Sequence, residues 1–194
     1  MWFGLPDSSN ADAEKETHMK AIAIAAVLAL FTGFAYYATP AELTVRDPGP
    51  NPQIDMNGYL KVSQDAANHR QKRRVTEEDF IKMSKEPGTI ILDARSKAMY
   101  DLLHIKGAVH LNFSDIAVDT LKEMIPDKNT RILIYCNNNF PRQPAFITKM
   151  PTASLNLSTY IALYNYGYHN VYELGPTVDP KTSKLVLEST PKRK

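Results

Sequence analysis

The chain has 194 residues, with 23 Lys and Arg against 21 Asp and Glu, for a formal net charge of +2. So even a balance leaves no basic footprint for nucleic acid, and 43% hydrophobic with 23% charged residues is the composition of a folded chain with one ordinary core. A single cysteine, Cys136, excludes an intramolecular disulfide and with it any disulfide-built scaffold.

No structure is assigned to residues 1–18. Residues 21–38, AIAIAAVLALFTGFAYYA, carry no charge. As a helix at about 1.5 Å per residue they would run about 27 Å, close to a bilayer core. Lys15 and Lys20 precede this run, and Tyr36 and Tyr37 close it at the level where interfacial aromatics gather. Residues 19–41 therefore read as an uncleaved transmembrane anchor or, if synthesis starts at Met19, as a signal peptide with small residues before Glu42. Either reading exports the rest. It faces the periplasm or exterior from the membrane, or is released there after cleavage.

Residues 42–57 contain several prolines and few large apolar groups, the composition of a linker. Tyr59, Val62 and Ala66 recur at helical spacing, and the run ends in the basic cluster Arg70, Lys72, Arg73 and Arg74, read as a solvated helix end with anionic lipid or a partner as the alternative. Thr76 and Asp79 form a capping box for a helix through Ser84, with Gly88 after its end.

Residues 89–94, TIILDA, are a continuous apolar run, expected as a strand buried on both faces. The spacing then predicts a helix over 96–103, a short strand over 109–112, a helix from Ser114 to Ile125 and a second buried strand over 131–135. A helix over 153–166 ends at Gly167, and residues 171–174 supply a further strand. Strands alternating with helices predict an α/β fold, a parallel β-sheet flanked by helices. The domain is expected over 58–175. Residues 176–194 form a C-terminal extension with a turn at 179–183, read as a closing hairpin before a frayed tail.

The segments ILDARSKAMYDLLHIKGAVHLNF, RILIYC and LYNYGYHNVYEL occur in that order. Together they resemble the rhodanese-homology pattern over about 75–175. The family's Asp-Ala-Arg stands here as Asp93, Ala94 and Arg95, and its Gly-His-Ile-Pro-Gly-Ala as residues 103–108, with Leu103 and Lys106 in place of Gly and Pro. The final Gly-Gly is reduced to Gly175-Pro176.

The resemblance implies a rhodanese-like fold with Cys136 as nucleophile. Its thiolate would take the outer sulfur of thiosulfate or a similar small donor, become a persulfide, and pass the sulfur to cyanide or a thiol acceptor. Asn137, Asn138, Asn139, Phe140 and Arg142 then form the substrate-binding loop, the asparagines replacing glycine through their tolerance of left-handed angles. Arg142, Lys149 or Arg95 would supply positive charge for an anionic donor. Asp93 and Arg95 read as a supporting ion pair, and His104 as a hydrogen-bonding support rather than a base.

The segment NNNFPRQPAFITKMPT after Cys136 is longer than the short loop that usually runs straight into a helix in this family. It supports an alternative, a catalytically degenerate binding module that meets a protein partner through Phe140, Phe146 and Met150. Cys136 and Arg142 also stand at the Cys-x5-Arg spacing of cysteine-dependent phosphatases, but Pro141 removes one amide from such a cradle and no glycine is present. No cofactor and no metal are expected, since no ligand-spaced His or carboxylate cluster and no Gly-rich phosphate loop occur.

Overall fold

The computed structural model describes residues 47–141 and 146–191. The chain divides into two units, Met1–Asn51 and Pro52–Lys194, and every element below belongs to the second. The expected anchor or signal segment lies outside the described residues. Among the described residues no helix is long and apolar enough to cross a membrane.

Helix α1 (Met56–Arg70) begins at Asp55, whose carboxylate accepts from the Gly58 amide at 2.8 Å. Strand β1 (Arg74–Val75) leads to α2 (Glu77–Ser84), where Thr76 Oγ1 accepts from the Asp79 amide at 3.1 Å and donates to the Asp79 carboxylate at 2.9 Å, as the cap signal predicts. Next come β2 (Thr89–Asp93), α3 (Lys97–Leu102), the short β3 (His104–Ile105) and β4 (Val109–His110). Helix α4 (Val118–Met124), β5 (Arg131–Tyr135), α5 (Leu155–Asn165), β6 (Val171–Leu174) and β7 (Leu187–Glu188) complete the order.

Strands β1, β6, β5, β2 and β4 lie in that order in one parallel sheet. Side chains alternate across it, as a period of two requires. Leu92, Ile132, Ile134 and Val171 pack with Leu121, Ile125, Tyr160 and Leu163 in one buried cluster. Ile91, Leu133, Tyr135 and Leu174 pack with Phe80, Ile105, Phe140 and Phe146 in the other. Both faces are covered, which is why β2 and β5 read as unbroken apolar runs.

Three expectations need correction. The helix foreseen from Ser114 to Ile125 is broken into a 3-10 turn (Phe113–Asp115) and α4, because Thr120 Oγ1 donates to the Asp115 carbonyl at 2.6 Å and accepts from the Ala117 amide at 3.0 Å. The basic cluster after α1 is not a simple solvated end. Arg70 forms a bidentate pair with buried Glu173, the Arg73 guanidinium lies 4.6 Å from the Tyr172 ring centre, and Arg74 Nη2 donates to the Gly175 carbonyl at 2.9 Å. The tail does turn at Asp179, whose carbonyl accepts from the Ser183 amide at 2.8 Å, but β7 pairs antiparallel with β3 instead of closing its own hairpin. The Lys106 amide donates to the Val186 carbonyl at 2.8 Å in that pairing, a bond that proline at this position has no N–H to make.

Candidate active site at the end of the central strand

The parallel register sets Asp93 beside Tyr135, at the carboxyl ends of β2 and β5. The residues after them, Arg95 and Cys136, therefore leave the sheet side by side, at the edge where open α/β sheets bind ligands. Cys136 is 1% exposed and lines a cleft of about 310 Å³ together with Arg95, Ser96, Met99, Asn137, Asn138, Ile147, Lys149 and Leu155. Its Sγ lies 3.4 Å from Ser154 Oγ, at the N-cap of α5. Ser154 makes no side-chain cap bond, so its hydroxyl is available to the sulfur. The insertion thus ends by bringing a helix N-terminus, the positive end of its dipole, back to the thiol.

The backbone after Cys136 makes a right-handed 3-10 turn, Asn137–Asn139, so the left-handed tolerance of asparagine is not what these positions use. The amides of Asn139 and Phe140 donate to the carbonyls of Cys136 and Asn137 at 3.1 and 3.0 Å. Those of Asn137 and Asn138 have no partner among the described residues, as the first amides of a helical turn do not.

The three asparagine side chains are clamps. Asn137 Nδ2 donates to the Ile147 carbonyl at 2.9 Å, and its Oδ1 accepts from Arg95 Nη1 at 2.8 Å. Asn138 bonds Lys149 twice through the backbone of that residue. These bonds hold residues 146–150 over the cleft as a flap. Asn139 is buried and faces away from it. Its Oδ1 accepts from the Cys136 amide at 3.0 Å and from Asn156 Nδ2 at 3.2 Å, while its Nδ2 donates to the carbonyls of Leu174 and Pro176 at 2.8 and 3.0 Å.

Beneath the cleft, Arg95 and Asp93 form a buried pair. Nη2 to Oδ2 is 2.6 Å, Nε reaches both carboxylate oxygens at 2.9 and 3.1 Å, and Nη2 also donates to the Leu103 carbonyl at 2.7 Å. Leu103, where the family pattern has glycine, is extended: its carbonyl accepts from Arg95 while its amide donates to the Met99 carbonyl at 3.2 Å. Burial opposes charge on Arg95, but the Asp93 carboxylate outweighs it and holds the guanidinium above its ordinary value. The Tyr135 hydroxyl donates to Asp93 Oδ2 at 2.5 Å and accepts from the Ile105 amide at 3.1 Å. Burial, reinforced by the Asp93 charge, pushes that phenol far above its usual range. His104 Nδ1 donates to the Tyr100 carbonyl at 2.7 Å, and its ring stacks on Tyr100 at 3.8 Å.

The fold brings Cys136, Asn137, Asn138 and Arg95 to one cleft, with Asp93 and His104 behind it. Phe140 is fully buried, stacked on Phe146 at 4.6 Å, so neither is a substrate contact or a partner contact. Met150 and Ile147 are the exposed apolar groups of the flap, at 73% and 67%. Arg142 lies outside the described residues. Two of the amides that a phosphatase cradle would turn toward a phosphate are spent inside the 3-10 turn. Sequence reasoning missed Ser154, Tyr135 and Asn156. For Ser154 the available signal was a serine directly before an apolar helical run. Among the described residues no cluster of His, Cys, Asp and Glu fits a metal ion.

Residues 76–175 match the family model described as a rhodanese-like domain. No curated protein sequence matches. Among solved structures, the Bacillus halodurans protein BH2092 is 24% identical with a TM-score of 0.44, over 66% of this chain and 86% of that one. The rhodanese-like domain of the Anabaena sp. Alr3790 protein is 21% identical with a TM-score of 0.41, over 60% of this chain and 79% of that one. A thiosulfate sulfurtransferase from Pseudomonas aeruginosa is 19% identical with a TM-score of 0.45, over 70% of this chain and 24% of that one.

Proposed function

This chain belongs to the rhodanese-like domain family, and on that premise we propose that it is a sulfurtransferase carrying sulfane sulfur as a persulfide on Cys136. The observation that carries the reading is the placement of Sγ at the end of β5, in a cleft and 3.4 Å from Ser154 Oγ at the start of α5. The thiolate attacks the outer sulfur of the donor, the donor's S–S bond breaks with its electron pair on the leaving group, and Cys136 is left as a persulfide. The Ser154 hydroxyl lies against the sulfur at the start of α5, and the Asn137 and Asn138 amides, without a partner among the described residues, open the turn that follows Cys136. Donors and a helix N-terminus next to an anionic sulfur are what nucleophilic cysteine chemistry requires. A thiol or cyanide then takes the outer sulfur. The proposal includes export and tethering through residues 21–38, supported by their uncharged run behind Lys15 and Lys20.

A second reading, a binding module, draws on the nearly closed thiol and on the exposed Ile147 and Met150 of the flap. Intact mass spectrometry of the reduced full chain after exposure to sulfane donors separates the two. One added sulfur atom, removed by reductant and missing in Cys136→Ser, supports the carrier. No gain from any donor moves the assignment to the binding module. Protease protection of a C-terminally tagged chain in intact cells tests export, and cleavage from outside is the expected result.

A further inference from the structure

We infer that the Cys136 cleft is built for an organic persulfide, R–S–SH with an apolar stem, in preference to thiosulfate; this rests on the sulfur-carrier reading. Arg95 lines the cleft but brings it no free charge. Its Nε proton and both Nη2 protons go to Asp93 and the Leu103 carbonyl, one Nη1 proton goes to Asn137 Oδ1, and the buried Asp93 carboxylate neutralises it. A thiosulfate dianion meeting an anionic sulfur in this cleft finds, among the described residues, no buried cation that a carboxylate has not already neutralised, and so nothing there to offset the repulsion or the loss of its hydration.

The walls point to a different donor. Met99, Ile147 and Leu155 give the cleft an apolar side, and its 310 Å³ is the space of about ten waters at about 30 Å³ each. Thiosulfate, with five non-hydrogen atoms, would leave that side uncovered, whereas a small thiol with a carbon stem covers it. Among the described lining residues Lys149 is the cation that no carboxylate pairs. Asn138 fixes its backbone at the rim, within reach of a carboxylate at the far end of such a stem.

The step balances without an added oxidant or reductant. The Cys136 thiolate bonds to the terminal sulfur of R–S–SH, the donor S–S bond breaks, and its pair leaves on R–S⁻. The proton stays on the transferred sulfur, giving Cys136–S–SH.

The test compares loading of the reduced full chain by thiosulfate, by propanethiol persulfide and by 3-mercaptopropionate persulfide, followed by intact mass spectrometry. Each rate is divided by that of the urea-unfolded chain, which removes the donors' intrinsic reactivity. The expected folded-to-unfolded ratio is at least tenfold higher for both organic donors than for thiosulfate. Lys149→Gln lowers the ratio of the carboxylate donor at least threefold relative to that of propanethiol persulfide. An equal or higher ratio for thiosulfate overturns the inference and leaves the carrier intact. Absence of sulfur gain from all three donors overturns the carrier reading and this inference together.

Discussion

Asn138 and Lys149 exchange two hydrogen bonds: Asn138 Nδ2 donates to the Lys149 carbonyl at 2.8 Å, and the Lys149 amide donates to Asn138 Oδ1 at 3.0 Å. One side chain thereby copies a β-bridge and holds the flap against the turn after Cys136. Removing it in Asn138→Ala releases two bonds of about 1 kcal/mol each, a factor of about five apiece in the opening equilibrium. Alkylation of Cys136 by iodoacetamide should speed up by as much as about 25-fold, the product of the two factors, with little change in the urea midpoint. An unchanged rate would mean that the flap does not gate the thiol.

Asn139→Ala should behave in the opposite way. Asn139 is buried and its side chain satisfies the Cys136 amide, Asn156 and the carbonyls of Leu174 and Pro176. Truncation strands several buried groups and should cost about 2–4 kcal/mol of stability, the penalty of unmade buried bonds. Urea unfolding measures it, and a loss under about 1 kcal/mol would contradict the anchoring role.

Tyr135 predicts alkaline instability. Its folded pKa is raised by burial and by Asp93, so the folded protein keeps a proton that the unfolded chain loses above about pH 10. The stabilisation is complete below that pH and falls by about 1.4 kcal/mol per pH unit above it. Tyr135→Phe removes this group's share. The stability of the wild type between about pH 10 and 11 should therefore fall more steeply than that of Tyr135→Phe, and equal slopes would refute the effect.

Ser154→Ala tests the contact at 3.4 Å between hydroxyl and sulfur. Loss of one donor to an anionic sulfur should slow sulfur loading about three- to tenfold, the scale of a modest charge-assisted bond. Ser154→Thr, which keeps the hydroxyl, should recover most of the rate. Equal loading by all three proteins would remove Ser154 from the site.

Much of the fold was legible because its signals are local. The Thr76 cap, the apolar run at 131–135 and the glycine after α5, Gly167 with φ of 84°, each act within a few residues. The break before α4 was not legible, since Thr120 has no special pattern until its hydroxyl meets Asp115 and Ala117. The fate of the tail was not legible either. Two short strands, β3 and β7, choose each other across more than eighty residues, and periodicity carries no information about partners.

The site divides along the same line. Residue order alone placed a thiol at the end of a strand buried on both faces and set Asp93 and Arg95 two residues apart after a parallel neighbour. Backbone hydrogen bonding and the burial of alternating apolar groups enforce both wherever the chain folds. The Asp93–Arg95 pair was legible too; only the tertiary structure decided that it leaves Arg95 no charge for the cleft, that Asn139 is an anchor while Asn137 and Asn138 hold a flap, and that the long insertion returns α5 to the sulfur through Ser154. Those roles depend on which groups remain unsatisfied once the core has closed. That is set by distances between residues far apart in the chain, which no local pattern encodes.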